Sequence, residues 1–265
     1  IFRVDGRNGV PFLHHGTSKD GLKWSIEPKP ISVKDAQGKA MKFTYQYDPR
    51  VIKIDGTFYI NWCNGNVGPT IGIASTKDFK SYKWVSNAFL PFNRNGVLFP
   101  KKFGKDFYML NRPSDNAHTR FGDIYLSKSR DLVDWGRHEL VMKAGPAWWE
   151  GVKIGAGPAP IETSAGWLLF YHGVLSTCNG LVYSMGAALL DLKDPAKVLM
   201  RSDGYLLTPE APYECRGIVP NVIFPCAALT DAPTGRIAVY YGAADTYTAL
   251  CFTTVDKLMD WLAKN

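Results

Sequence analysis

Apolar and polar residues alternate along this chain in short runs, and glycine-bearing turns break the runs apart. Val51-Ile52-Lys53-Ile54 leads through Asp55-Gly56 into Thr57-Phe58-Tyr59-Ile60-Asn61-Trp62. Lys102-Phe103, Gly104-Lys105 and Asp106-Phe107-Tyr108-Met109-Leu110 repeat the scheme. Ala159-Pro160-Ile161-Glu162, Thr163-Ser164-Ala165-Gly166 and Trp167-Leu168-Leu169-Phe170-Tyr171 repeat it again, and a last clear run closes at Gly235–Gly242. β-Branched and aromatic residues on both sides of such a turn predict β-hairpins. Helical spacing of apolar positions is confined to Val255–Lys264, which predicts one short C-terminal helix.

A longer period underlies the hairpins. Thr17-Ser18-Lys19-Asp20-Gly21-Leu22-Lys23-Trp24 returns as Ser75-Thr76-Lys77-Asp78-Phe79-Lys80-Ser81-Tyr82, and again as Ser127-Lys128-Ser129-Arg130-Asp131-Leu132-Val133-Asp134-Trp135. Looser copies surround Asp194 and Asp256, so the aspartates are spaced by 58, 53, 63 and 62 residues. A near-constant period of this size marks a propeller or a similar array. The expectation is an all-β, five-bladed β-propeller forming a single catalytic domain over residues 1–265. Only 19 residues precede Asp20, which predicts an incomplete N-terminal blade unless the C-terminus supplies its missing strands.

Composition narrows the function. A hydrophobic content of 46% with 21% charged residues suits a packed domain. No apolar run is long enough to span a bilayer, so a membrane partner is not expected. The five cysteines are scattered and lack a C-x-x-C pair, which speaks against a zinc site or disulfide framework and favours a reducing, cytoplasmic setting. The chain opens at Ile1 inside a strand, so an upstream leader stays open. The net charge of +7 points to an anionic partner. Without a Lys/Arg block or basic–aromatic interleaving, that partner is not nucleic acid, and a small anion such as phosphate fits better. Walker, G-x-S-x-G, H-E-x-x-H and EF-hand patterns are all missing, so no metal or cofactor is expected.

Some residues stand out as candidates for chemistry. Arg94 in Asn93-Arg94-Asn95-Gly96 and Arg112 in Asn111-Arg112-Pro113 edge short apolar runs. A guanidinium fork there suits phosphate or carboxylate oxygens, or simply bonds the carbonyls of a turn. Asp48 precedes Pro49, which predicts an extended backbone holding a carboxylate for acid catalysis, or else one capping a turn. Lys153 follows Trp148-Trp149-Glu150-Gly151 and precedes a glycine-rich segment. His172 leaves an apolar strand, either as a catalyst or as a structural imidazole, and Asp245 leaves another strand. Aromatic residues make up 13% of the chain, which suits sugar stacking as well as propeller cores.

As an ordered set, these pieces resemble glycoside hydrolase family 130, the mannoside phosphorylases and related β-mannosidases, across essentially the whole chain. The resemblance is carried by Asp48-Pro49-Arg50, Pro91-Phe92-Asn93-Arg94-Asn95, Arg112-Pro113, Trp135-Gly136 and Lys153-Ile154-Gly155. It continues through Tyr171-His172-Gly173-Val174, Pro220–Pro225 and Tyr240-Tyr241-Gly242-Ala243-Ala244-Asp245. It implies a five-bladed propeller in which Asp48 is the general acid, acting on the glycosidic oxygen directly or through a mannose hydroxyl. It implies further that Arg94, Arg112, Lys153 and His172 bind inorganic phosphate, the co-substrate. Tyr47, Asn95, Asp115, Tyr171 and Asp245 are implied to bind sugar.

An inverting hydrolase needs a second carboxylate to activate water. A phosphorylase needs none, because phosphate is already a nucleophile; it needs cations to hold the anion in line with the anomeric carbon. The expected reaction is a β-mannoside plus phosphate giving α-mannose 1-phosphate and a shortened acceptor. Two alternatives stay open: a β-mannosidase with Glu150, Glu214 or Asp245 as base, and a non-catalytic carbohydrate-binding propeller. A homo-oligomer whose loops complete the acceptor subsites is compatible with either enzyme.

Overall fold

The structure is a computed structural model and describes residues 1–65, 68–114, 122–145 and 147–264. Its strands form five sheets, one per blade of a five-bladed β-propeller. The first contains Phe2–Asp5 (β1), Pro11–Ser18 (β2) and Trp24–Pro30 (β3). The second contains Val33–Lys34 (β4), Gln46–Ile54 (β5), Thr57–Asn64 (β6), Thr70–Thr76 (β7) and Tyr82–Asn87 (β8), in the order β4-β8-β7-β6-β5. The third contains Asn93–Leu98 (β9), Phe107–Pro113 (β10), Ile124–Ser129 (β11) and Gly136–Met142 (β12).

The fourth sheet contains Lys153–Ala156 (β13), Ile161–Glu162 (β14), Trp167–Thr177 (β15), Gly180–Leu190 (β16) and Val198–Arg201 (β17), ordered β13-β15-β16-β17 with β14 also on β15. The short helix Pro212–Cys215 (α1) leads to the fifth sheet: Ile223–Asp231 (β18), Arg236–Ala243 (β19) and Tyr247–Thr254 (β20). Helix Val255–Leu262 (α2) follows. The first sheet therefore has three strands, and the described residues after β20 form a helix rather than a strand that completes it.

The repeated phrase is a capped turn at the end of a strand. Asp20 accepts the N–H groups of Leu22 and Lys23, while the Ser18 hydroxyl accepts that of Gly21 at 2.9 Å. Asp78 with Thr76, and Asp131 with Ser129, reproduce both bonds. An aromatic side chain then reaches back to a carbonyl: Trp24 to Gly21, Tyr82 to Phe79, Trp135 to Leu132. In the fourth blade the cap is Asp191, which accepts from Lys193 and Asp194; the aspartate at 194 aligned from spacing is a donor in that turn. In the fifth blade Thr254 keeps the hydroxyl part of the device and caps α2 by accepting the Lys257 N–H at 3.3 Å.

Two compact units divide the chain: Ile1–Met109 with Lys128–Arg137, and Leu110–Ser127 with His138–Asn265. The first has a core of Leu13, Val33, Ile60, Trp62, Ala74 and Tyr82. The second is built on the longest hairpin, β15 and β16, paired without a break from Trp167–Leu190 to Thr177–Gly180. Its core joins Leu168, Phe170, Met185 and Leu189 to Ile223, Ile237, Val239, Leu258 and Leu262, so α2 is anchored by Leu258 and Leu262.

Candidate active site

In the first unit the site residues lie on β5 and β9. The β5–β6 ladder pairs Tyr47 with Cys63 and then Arg50 with Asn61, so Asp48 and Pro49 stand opposite a single residue. That is a β-bulge, which bends a strand and re-aims a side chain. Asp48 has φ +53°, in the left-handed region, not the extended conformation that Pro49 alone would impose. The extra residue has to be absorbed somewhere, and aspartate tolerates this region better than most side chains. Asp48 is half-buried, while Arg50 is nearly buried and donates to the Pro49 carbonyl at 3.0 Å.

Tyr47 packs in a stack with Tyr45, ring centroids 5.3 Å apart, and Arg94 Nε donates to its hydroxyl at 3.4 Å. Burial pushes the Tyr47 phenol well above its ordinary pKa, helped by Cys63 across the ladder and by the Asp48 carboxylate, so Tyr47 stays neutral. Asn95 beside Arg94 is buried and has φ +52°. The carbonyl of Gly96 accepts from the Asn61 amide, and a Cβ at Gly96 would lie 2.6 Å from Ile71, so β9 is seated closely on the second sheet. The first unit thus brings together Tyr47, Asp48 and Arg94.

In the second unit Arg112, Lys153 and His172 converge. Arg112 is the penultimate residue of β10 and is 6% exposed; its Nη1 donates to His172 Nε2 at 3.1 Å and to the Ile154 carbonyl at 3.4 Å. Guanidinium has no acceptor, so this bond requires a neutral His172 carrying its proton on Nδ1. His172 is fully buried in β15 beside the rings of Tyr183 and Phe224. Lys153 opens β13, paired with Val174, and its ammonium lies 5.3 Å from the Tyr183 ring centroid. A Cβ on Gly122 would stand 2.4 Å from Lys153 Cβ and 3.6 Å from Arg112 Cδ, which places both cationic side chains beside that glycine.

The neighbouring carboxylates are committed elsewhere. Glu150 is completely buried and pairs with Arg201 Nη2 at 2.7 Å. Arg201 Nε also donates to the Tyr171 hydroxyl at 3.4 Å. Burial, together with Glu150, pushes the Tyr171 phenol well up despite Arg201. With 0% exposure, the Tyr171 ring is buried in β15. Glu214 Oε2 accepts the N–H groups of Glu210 and Ala211, and Oε1 accepts the Tyr241 hydroxyl at 2.8 Å. Burial opposes its ionisation, but these donors prevail and hold the carboxyl below its ordinary pKa.

Asp245 lies in the three-residue loop between β19 and β20, half-buried with φ +53°. The loop is tied down by Val219 N–H on the Ala244 carbonyl and Ala244 N–H on that of Val222. Asp115 falls outside the described residues. Sequence reading missed Arg201, whose only signal is a lone arginine at a strand end, and the tight seat of Trp149. A Cβ at Gly173 would meet Trp149 Cζ3 at 2.3 Å, and one at Gly186 would meet Cη2 at 2.5 Å.

With this geometry in view, comparison with known proteins is specific. The sequence profile of glycoside hydrolase family 130, described as β-1,4-mannooligosaccharide phosphorylase, matches residues 1–264. The β-1,4-mannooligosaccharide phosphorylase of Ruminococcus albus is 53% identical over 99% of this chain and 79% of its own length. The β-1,2-mannobiose phosphorylase of Listeria innocua is 32% identical over 96% of this chain and 69% of its own. Its solved structure with β-1,2-mannobiose superposes with a TM-score of 0.86 at 31% identity, covering 97% of this chain and 70% of that one. The chain belongs to glycoside hydrolase family 130.

Proposed function

We propose that this protein is an inverting phosphorylase that transfers the terminal β-mannosyl unit of a β-1,4-mannooligosaccharide to inorganic phosphate. The products are α-mannose 1-phosphate and an acceptor shortened by one sugar. The β-1,4 linkage is favoured over β-1,2 because the Ruminococcus albus relative shares 53% of its residues with this chain, against 32% for the β-1,2 enzyme from Listeria innocua.

The observation that carries the reading is the convergence of Arg112, Lys153 and His172, beside carboxylates engaged by other groups. Arg112 and Lys153 both lie beside Gly122, whereas Glu150 is held by Arg201 and Glu214 by three donors. A hydrolase needs a carboxylate able to take a proton from water; of the three candidates Glu150 and Glu214 are occupied, and Asp245 is read here as a sugar contact. Phosphate needs no such base, and two fixed cations offset the cost of stripping its water.

In this reading Asp48 gives its proton to the departing glycosidic oxygen, directly or through a mannose hydroxyl. Phosphate oxygen attacks C1 from the opposite face, so the C1–O bond to the acceptor breaks as the C1–O bond to phosphorus-bound oxygen forms, with inversion. Arg112 and Lys153 hold the anion. His172 is a positioning residue: a neutral acceptor that aims the Arg112 guanidinium. Tyr47, Asn95 and Asp245 contact sugar.

Incubation with β-1,4-mannobiose, with and without phosphate, tests the reaction, and β-1,2-mannobiose tests the linkage. Mannose 1-phosphate formed only with phosphate, and faster from the β-1,4 substrate, is expected. Mannose released without phosphate would replace the reading with hydrolysis.

A further inference from the structure

Among the described residues of the second unit, two aromatic side chains face solvent as a pair. Trp148 is 65% exposed and Tyr205 is 37% exposed, with ring centroids 6.0 Å apart at an interplanar angle of 78°. Tryptophan is mostly covered in folded proteins, so a bare indole beside a bare phenol is a feature to be explained.

Both rings stand on anchored backbone. Trp148 opens the 3₁₀ turn Trp148–Glu150, whose next two residues are buried. Trp149 fills the space left by Gly173 and Gly186, and Glu150 is fixed by Arg201. Tyr205 lies on the segment after β17, held on one side by Ser202 N–H on the Ala187 carbonyl and on the other by Leu206 N–H on that of Met185 at 2.7 Å. The two segments are joined directly, since Trp149 Nε1 donates to the Asp203 carbonyl at 3.0 Å. The aromatic pair therefore meets a ligand with little ordering left to lose.

We propose that Trp148 and Tyr205 form a stacking platform for mannosyl units of the oligosaccharide chain beyond the bond that is cleaved. This rests on the phosphorylase reading and extends it to substrate length. β-Mannopyranose carries axial C–H groups on one ring face and hydroxyls around its rim. An indole offers the first a flat apolar partner, and the edge-on phenol offers the second a polar tip. Two rings are far smaller than the roughly 800 Å² that each partner contributes to a stable protein interface, whereas they match one or two hexoses. In the chain, Trp148 stands five residues before Lys153, which opens β13.

The test compares Trp148→Ala, Trp148→Phe and Tyr205→Ala with the parent protein on β-1,4-mannobiose and β-1,4-mannohexaose. The ratio of kcat/KM for hexaose over biose is expected to fall about tenfold in Trp148→Ala, less in Tyr205→Ala, and to be largely kept in Trp148→Phe. In parallel, titration calorimetry with mannohexaose and no phosphate reads binding without turnover, with weaker binding expected in Trp148→Ala. If the parent turned over neither sugar, the phosphorylase reading would fail, and the titration would still decide the platform. An unchanged ratio with unchanged hexaose binding overturns the proposal. So does a Trp148→Ala protein that changes from oligomer to monomer in sedimentation, since the pair would then be a subunit contact.

Discussion

The two units hold their functional side chains by opposite means. In the first, Asp48 and Asn95 sit at φ +53° and +52°, and Asp48 occupies a bulge that interrupts the β5–β6 ladder. In the second, Lys153 and His172 project from strands whose pairing is regular around them, with Gly155 opposite His172 and Lys153 opposite Val174, and Arg112 on β10 bonds His172. Irregular backbone can aim one side chain in a direction that a pleated strand forbids, at the cost of local strain. Regular strands give a cluster of like charges a stiff base, and an acceptor such as His172 keeps one of them aimed. The proposed proton donor thus depends on local conformation, and the anion site on packing.

The comparison breaks most sharply at the acid. Asp48→Asn keeps the shape and hydrogen-bonding capacity of the bulge but removes the proton. A kcat loss of about 10³-fold is expected, within the usual range for general acid catalysis, with an unchanged melting temperature. Near-parental kcat would remove Asp48 from the role. Gly173→Ala probes the other unit: a methyl group 2.3 Å from Trp149 Cζ3 has nowhere to go. A loss of about 1–3 kcal/mol in stability is expected from overpacking, read as a lower denaturation midpoint, with kcat/KM falling only as the fold loosens.

His172→Ala should act on phosphate alone. Removing an acceptor from a buried guanidinium costs about 1.5–3 kcal/mol, which predicts a phosphate KM raised roughly 10- to 100-fold at 1.4 kcal/mol per decade. The mannoside KM should move little. His172→Gln, whose carbonyl accepts but cannot become cationic, should recover part of the loss. If His172 instead contributed positive charge, Gln would rescue nothing, and phosphate affinity would rise as the pH falls through the imidazole range.

The sequence disclosed the features that local chemistry dictates. Asp55-Gly56 is a turn with φ +48° and +76°, as a two-residue hairpin connection requires, and the S/T-x-D phrase is a capped turn in the first three blades. What it hid depends on register. Spacing could not tell Asp191 from Asp194, because both lie within one turn and only the strand end at Leu190 decides which faces the N–H groups. The left-handed Asp48 was invisible for the same reason: a bulge belongs to a pair of strands, and Pro49 alone argues for the opposite conformation. Glu150 looked like a possible base until Arg201, 51 positions later, proved to be its partner.

The smallest effect separates the units by acid. Three of the aspartate caps, Asp20, Asp78 and Asp131, lie in the first unit, and Asp191 lies in the second. Backbone N–H donors hold each below its ordinary pKa, and Asp78, bonded by Ser81 and Lys80, falls to about 2. A carboxyl whose folded pKa is depressed contributes stability that is complete above its unfolded value, about 3.9, and lost as pH falls through the folded value. Between pH 4 and pH 2 the first unit should therefore loosen more than the second. Hydrogen exchange is expected to show the amides of Lys80 and Ser81 losing protection across that window, ahead of those on β15 and β16. Asp78→Asn should make the loss at Lys80 and Ser81 independent of pH while leaving the turns at Asp20 and Asp131 as they were. Equal loosening of both units would mean that acid acts on groups shared by the whole fold, and that the capped turns contribute nothing of their own.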